Sequence, residues 1–524
     1  MEFTPLLAIQ GLAALVAIIA SSYVPRLIKS FLLLQRIKQY PGPPPESFVL
    51  GNTILAKRQD RHRLFAEWSD KYGPVLRRRR LDTHVLQITD PALIAEALRN
   101  KDLDKKPVND ALNYFAGPHS LPTLLTSESN ARWKGVRKAT ASAFSTANMK
   151  AEFPNIRAAC SQLIEVLKSV GPDEVVDMDG ALCRESLDVI GRVGFGKDMG
   201  ATRSLRNSDA PGQAMEATSG ALLEADRRLT DPTRRFQFWR KDVREGEAIT
   251  KRFHSIMQSL VDGMHKERPA ESSIAAHLLD IKDPETGGPL DDKHLLPEVS
   301  TLFMAGFETT GHTAAWVVFS VSQHPEVEAK IVEELRQHDL LATAEQPNPR
   351  AIQWDDIPKL TYLNAVIKEA MRLYPAGGVA SFRRIHTGKD LVLGGGKLVV
   401  PAGVALHFPI TAVHHSTAVW EDPEAFSPER FLEAGAEDAR GAEPLNGRKP
   451  QRFIPFSQGS RDCVGQTLAR LNLATTLAQL FGNFSFRLAA EMGGPAGVRA
   501  SEITSITLSC AKGMKMHAIA RVKK

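Results

Sequence analysis

With 524 residues and a hydrophobic fraction of 43%, the chain can build one large core or several ordinary domains. Lys and Arg total 66 against 60 Asp and Glu; the net charge of +6 is too diffuse to mark a nucleic-acid binder and suits an anionic membrane surface or an acidic protein partner. The four cysteines, Cys160, Cys183, Cys463 and Cys510, are too widely spaced to form a disulfide framework, as expected of a reducing compartment.

From Thr4 to Val24 the sequence is almost wholly apolar, and roughly 20 such residues span a bilayer as helix. Arg26, Lys29, Arg36 and Lys38 follow the run, while Glu2 is the only charged side chain before it, so the positive-inside rule leaves the body in the cytosol. A cleaved signal peptide is the weaker reading, because such peptides carry their positive charge ahead of the apolar run. Residues 1–24 are therefore expected to be a transmembrane anchor. Residues 25–45 are a basic, proline-rich linker stiffened by Pro41-Gly42-Pro43-Pro44-Pro45, and residues 46–524 form the body.

Asp60 to Tyr72 reads as a helix, Val75 to Thr89 as two short strands, and Pro91 opens a helix over Ala92 to Arg99. Arg77 to Arg80 would alternate faces on a solvated or lipid-facing edge strand. Ala111 to Thr126 is loop-like, with Gly117-Pro118 and Leu121-Pro122 as breakers. Trp133 then opens a helix that ends near Asn148, and Trp133 and Arg137, at i and i+4, set an indole donor beside a guanidinium. That pair suits a carboxylate, and its plainer alternative is a surface Trp packed under an Arg stem. From Glu152 to Glu267 the pattern is helical, broken near Gly171-Pro172, Gly200 to Pro211 and Asp231-Pro232, with no repeat or low-complexity tract.

Lys293 to Ser322 reads as one long helix centred on Ala305-Gly306-Phe307-Glu308-Thr309-Thr310. A glycine in a buried helix costs about 1 kcal/mol against alanine, and such a cost points to a purpose. Gly306 would let something flat or diatomic approach, while the Thr309 hydroxyl can donate to it and pass a proton. Ala305 and Leu302 share that face. After a helix over Pro325 to Gln337, Leu360 to Leu373 carries Glu369-Ala370-Met371-Arg372. Glu-x-x-Arg recurs elsewhere in the chain, but only this copy is followed by Leu373-Tyr374-Pro375 and lies upstream of Pro428-Glu429-Arg430-Phe431. Leu391 to Leu406 alternates apolar residues around Gly394-Gly395-Gly396 as a hairpin. No Lys-Ser/Thr pair or helix start follows, so it is not a phosphate loop.

The run Phe456-Ser457-Gln458-Gly459-Ser460-Arg461-Asp462-Cys463-Val464-Gly465 carries the most chemistry. Gly459 and Gly465 allow the loop to run close against a flat cofactor, and Arg461 can neutralise an acidic substituent. Cys463 stands next to the N-terminus of a helix over Gln466 to Leu480, whose positive end favours the metal-binding thiolate. No Cys-x-x-Cys and no nearby His supplies a second ligand, which argues against tetrahedral zinc. A haem iron with one protein thiolate fits better.

On these residues the chain resembles the cytochrome P450 family, whose cysteine loop reads Phe-x-x-Gly-x-Arg-x-Cys-x-Gly; Phe456, Gly459, Arg461, Cys463 and Gly465 all stand in place. The resemblance implies a mainly α fold with small β-sheets, the cytochrome P450 fold, around haem b with Cys463 as the axial ligand. It implies that Trp133, Arg137 and Arg461 hold the haem carboxylates, that Arg384 makes a second propionate contact with Arg383 as its rival, and that Ala111 to Thr126 closes over substrate. Ala305 and Gly306 then belong to the oxygen-binding segment, Thr309 and Glu308 deliver protons, and Arg430 completes a Glu-Arg-Arg triad with Glu369 and Arg372. The chain departs from the family at His414-His415-Ser416-Thr417, where the common motif runs His-Arg-Asp-Pro; His414 remains a candidate for a propionate contact. Asn472 stands where the family often has Glu.

The implied activity is insertion of one atom of dioxygen into a lipophilic small molecule. No flavin or nicotinamide fingerprint is present, so the electrons would come from a separate membrane-bound, NADPH-dependent flavoprotein reductase. Lys134, Lys138 and Arg452 are expected to form part of its docking face. The implied location is the endoplasmic reticulum membrane, with the catalytic domain facing the cytosol. Two other functions share the loop: a relative that rearranges hydroperoxides without dioxygen or reductase, and a non-catalytic haem carrier or sensor. The Glu308-Thr309 pair argues against both.

Overall fold

A computed structural model describes residues 21, 24–48, 50–53, 58–80, 83–105, 110–205, 212–231, 233–379, 381–440, 444 and 448–522. The proposed anchor over Thr4 to Val24 lies almost entirely outside them; residues 24–37 are helical, and among the described residues no helix is long and apolar enough to cross a membrane.

The body is mainly helical with small sheets. Helix α1 (Arg61–Tyr72) leads into the antiparallel strands β1 (Val75–Arg80) and β2 (Thr83–Ile88). Helix α2 (Pro91–Arg99) starts on Asp90, whose side chain accepts from Leu93 N, with proline at the first turn where its missing N–H costs nothing. Strand β3 (Leu103–Lys105) follows. The predicted loop then begins with a helix, Asp110–Ala116, before it turns irregular. The helix expected to run to Asn148 is two: α3 (Ala131–Ala143), capped by Asn130, and α4 (Thr146–Lys168), capped by Ser145. The serine side chain accepts from Asn148 N and so opens a new helix where apolar spacing alone reads as continuous.

Helices α5 (Met178–Val189), α6 (Gly212–Thr230) and α7 (Lys241–Lys266) precede α8 (Asp292–Ser322), a helix of 31 residues that is buried along most of its length. A helix that is apolar on nearly all sides belongs inside a core. Helix α9 (Thr361–Leu373) and helix α10 (Gln466–Asn483) pack against it, so the large core spans α3 to α10. The five-stranded sheet has the order β1-β2-β5-β4-β3, where β4 is Phe382–Ile385 and β5 is Ala405–His407. The glycine hairpin forms as expected, but only over Leu391–Leu393 and Leu398–Val400; Ala405–His407 leaves it and pairs in parallel with β2.

The arginine run is not a solvated edge throughout. Arg78 is 5% exposed, packs over the Phe65 and Phe382 rings, and donates to His407 Nδ1 at 2.7 Å. Pleating sends alternate residues of an edge strand inward, and residue 78 falls on the inward set.

Candidate active site

The cysteine loop and the middle of α8 face each other across an internal cavity of about 350 Å³. Cys463 N donates to Phe456 O at 2.9 Å, closing the loop into a compact turn, and α10 starts three residues after the cysteine. The sulfur is exposed, but into this cavity. Burial pushes the Cys463 thiol up; the Gly465 backbone N–H, then Arg137 and Lys105, oppose that shift without cancelling it. The expected thiolate preference is therefore outweighed, in the absence of a metal, by desolvation. Opposite, Ala305 and Thr309 line the wall, and the Thr309 hydroxyl donates to Ala305 O at 2.8 Å.

One end of the cavity carries four cations: Lys105, Arg137, Arg383 and Arg461. Arg461 donates to Asp104 Oδ1 and Ser129 Oγ, both at 2.8 Å, and lies 3.6 Å over the Trp133 ring. Its Nε and Nη1 are buried with no hydrogen-bond partner among the described residues. Arg137 is paired with Asp462 through both the side chain and the backbone carbonyl. Burial, followed by Arg383, Arg461 and Arg137, pushes Lys105 down to about 7, and burial with Arg461 pushes Arg383 down to about 10. A surplus of positive charge, unpaired guanidinium nitrogens and one thiol across an apolar chamber fit a ligand that bears carboxylates at one end and a thiophilic metal at its centre.

Several expected contacts fall elsewhere. The Trp133 indole N–H is given to Leu124 O at 3.1 Å, so this residue supports a guanidinium by stacking, that of Arg461, and presents no free donor. Arg384 turns outward to Glu128, and its rival Arg383 points into the cavity, because adjacent strand residues face opposite ways. His414 is 0% exposed and off the cavity; its Nε2 accepts from Ile454 N at 2.9 Å and its ring stacks on Phe453. Glu308 is buried beside Thr309 but aimed away from the cavity, accepting from Ser219 at 3.1 Å and Thr507 at 3.3 Å. Burial raises its carboxyl, with His312 opposing.

The glycines also act differently. A Cβ on Gly306 would meet Ile190 at 2.7 Å, and one on Gly459 (φ +83°) would strike Leu98 O. Both residues allow protein to approach protein. Gly306 nevertheless lines the cavity, as do Gly465 and Phe456, Phe456 under Arg470. Arg452, expected at a docking face, is 4% exposed, stacked on Trp420 and bonded to Ala436 O and Val419 O. Lys105 was not expected at all. Its position follows from the β3–β4 register, Lys105 opposite Arg383, which no contiguous pattern announces.

Glu369, Arg372 and Arg430 meet near the end of α9, whose Met371 lines the cavity. Arg372 donates to both Glu369 oxygens, at 2.8 and 2.9 Å, and Arg430 Nε donates to Oε1 at 3.1 Å. The remaining Arg372 capacity goes to His414 O, Pro423 O and Ala425 O, which ties α9 to the segment leading into the cysteine loop.

Residues 41–498 match the cytochrome P450 family. The chain belongs to that family. P450s carry haem with a cysteine thiolate as axial ligand, the group that this cavity fits. Among relatives, the chain is 35% identical to cytochrome P450 4F3 of Mus musculus, over 42% of this chain and 39% of that protein. It is 25% identical to cytochrome P450 3A12 of Canis lupus familiaris, over 88% of each, and 26% identical to cytochrome P450 monooxygenase sphH of Aspergillus fumigatus, over 86% of this chain and 83% of that one. The chain spans about two fifths of the length of the first P450 relatives it matches.

Proposed function

We propose that this chain is a haem-thiolate monooxygenase that inserts one atom of dioxygen into a lipophilic small molecule, with electrons from a separate NADPH-dependent flavoprotein reductase. The observation that carries the reading is the single thiol of Cys463 facing Thr309 across a mostly apolar chamber with a cationic end. When bound, the haem supplies the iron chemistry that activates dioxygen.

Cys463 would hold the iron, and Arg461, Arg383 and Lys105 would take the carboxylates, whose charge would offset the burial and the mutual repulsion that now depress the last two. The Thr309 hydroxyl is bonded to a carbonyl at the wall beside Ala305, and swinging it off Ala305 O turns its proton toward the chamber. Leu124, Leu125, Leu302 and Ala376 keep the chamber apolar, which excludes water and selects lipophilic substrates. The apolar run over residues 4–24, followed by basic residues, supports anchorage in the endoplasmic reticulum membrane with the body in the cytosol and a membrane-bound reductase as partner.

The test is the optical spectrum of dithionite-reduced, carbon-monoxide-bound protein, for wild type and Cys463→Ser, followed by product formation with NADPH and reductase. The expected result is a red-shifted Soret band that is lost in the variant, with reductase-dependent product. A haem spectrum indifferent to the substitution would overturn the ligand assignment. Turnover with hydroperoxide alone would favour the rearranging relatives.

A further inference from the structure

On the flank of α8 that packs against α5, Asp179, Cys183 and His312 converge outside the chemistry described above. Asp179 and Cys183 stand one turn apart on α5 and so share a face, and His312 projects from α8 one turn beyond Glu308. The two helices touch because residue 311 is glycine: a Cβ there would lie 2.6 Å from Cys183 Cα and 2.7 Å from its N. The approach places His312 Nδ1 3.6 Å from Cys183 Sγ and 2.7 Å from Asp179 Oδ1, and the three donor atoms fall within 4.8 Å of one another. The His312 and Asp179 side chains are 12% and 13% exposed, Cys183 is buried, and none of the three lines the haem cavity.

We propose that Asp179, Cys183 and His312 form a binding site for one zinc-class divalent cation that joins α5 to α8. A thiolate, an imidazole and a carboxylate are the donors zinc takes, whereas calcium and magnesium prefer oxygen alone. Zinc–sulfur and zinc–nitrogen bonds of about 2.3 and 2.0 Å set tetrahedral donors about 3.5 Å apart. The Cys183–His312 separation of 3.6 Å already has that value. Asp179 Oδ1 has to retreat from 2.7 Å to about 3.3 Å of His312 Nδ1 and settle at about 3.5 Å from the Cys183 sulfur, now within 4.8 Å, which a carboxylate rotation can supply.

Without a cation, the pocket is neutral. Burial alone would lower His312, but Asp179 and then Cys183 hold its imidazolium well above the usual range, and burial pushes the Cys183 thiol up to about 11. Binding removes one proton from the imidazolium and one from the thiol; the +2 ion is then balanced by the thiolate and carboxylate, and a fourth position is left for water. The site would fix α5 against α8 one turn from Glu308.

The test uses full-length, haem-loaded protein treated with chelator and titrated with Zn2+. The expected uptake is about one Zn2+ per haem, with affinity lowered about tenfold or more in Cys183→Ser and in His312→Gln. The reduced, carbon-monoxide-bound spectrum checks that each variant retains its haem site. Co2+ in place of Zn2+ is expected to give a thiolate-to-cobalt charge-transfer band in wild type and none in Cys183→Ser. A wild type that binds no Zn2+ at micromolar concentration, or binds it as Cys183→Ser does, overturns the proposal and leaves an ion pair beside a neutral thiol.

Discussion

Glu369 and Arg372 are both 0% exposed, and the carboxylate also accepts from Ser427 N and Arg430. An exposed helical pair is worth about 0.2–0.5 kcal/mol, but stranding one partner of a buried pair costs about 3–5 kcal/mol. Glu369→Ala is therefore expected to yield little haem-loaded protein, measured as the ratio of haem to polypeptide after purification; normal loading would refute it. Glu298 offers a second case, accepting from Leu124 N at 3.1 and 2.9 Å, with burial driving its carboxyl up to about 8 from the ordinary 4.5. The folded state keeps this proton to about pH 8, whereas the unfolded chain releases it near 4.5, so this contribution is fully present below 4.5 and is lost as pH rises through 8. Thermal midpoints between pH 4.5 and 8 should fall less in Glu298→Gln than in wild type. Parallel curves would mean that Glu298 does not govern this window.

At the scale of elements, α8 meets α5 through Gly311 against the Cys183 backbone, and meets the turn that follows α5 through Gly306 against Ile190. Backbone cannot rotate aside as a side-chain tip can. Gly311→Ala should lower the thermal midpoint of the haem-loaded protein, since overpacking costs about 1–3 kcal/mol and exceeds the roughly 1 kcal/mol gained in helix propensity. Gly306→Ala, against the Ile190 side chain and not backbone, should lower it less. Equal midpoints would show that the helices can separate. Much of this element layer was legible: the long α8, the α9 triad helix, the hairpin and the cysteine loop all carry local periodicity or turn residues. The break between α3 and α4 rests on a single capping serine, which apolar spacing does not register.

Across the whole molecule, Lys134 and Lys138 remain exposed on α3, the helix whose Arg137 grips the cysteine loop at Asp462. Reversing both charges should slow reduction by an acidic reductase about tenfold at low salt. The difference should vanish near 1 M, where the screening length is about 3 Å. Stopped-flow reduction across salt concentrations checks this, and salt-independent kinetics would remove these lysines from the docking face. Residues written within one turn or one loop were readable from the sequence alone: the thiol between its glycines, Glu369 with Arg372, Thr309 with Ala305, the apolar run followed by basic residues. Their spacing is set by helical pitch and turn geometry. Which face each side chain takes was decided only by packing. Strand register chose Arg383 over Arg384 and brought in Lys105, burial turned Glu308 and His414 from the cavity, and Arg461 found Asp104 across 357 positions of chain. Such choices depend on which surfaces leave water together, and that follows from the assembled core.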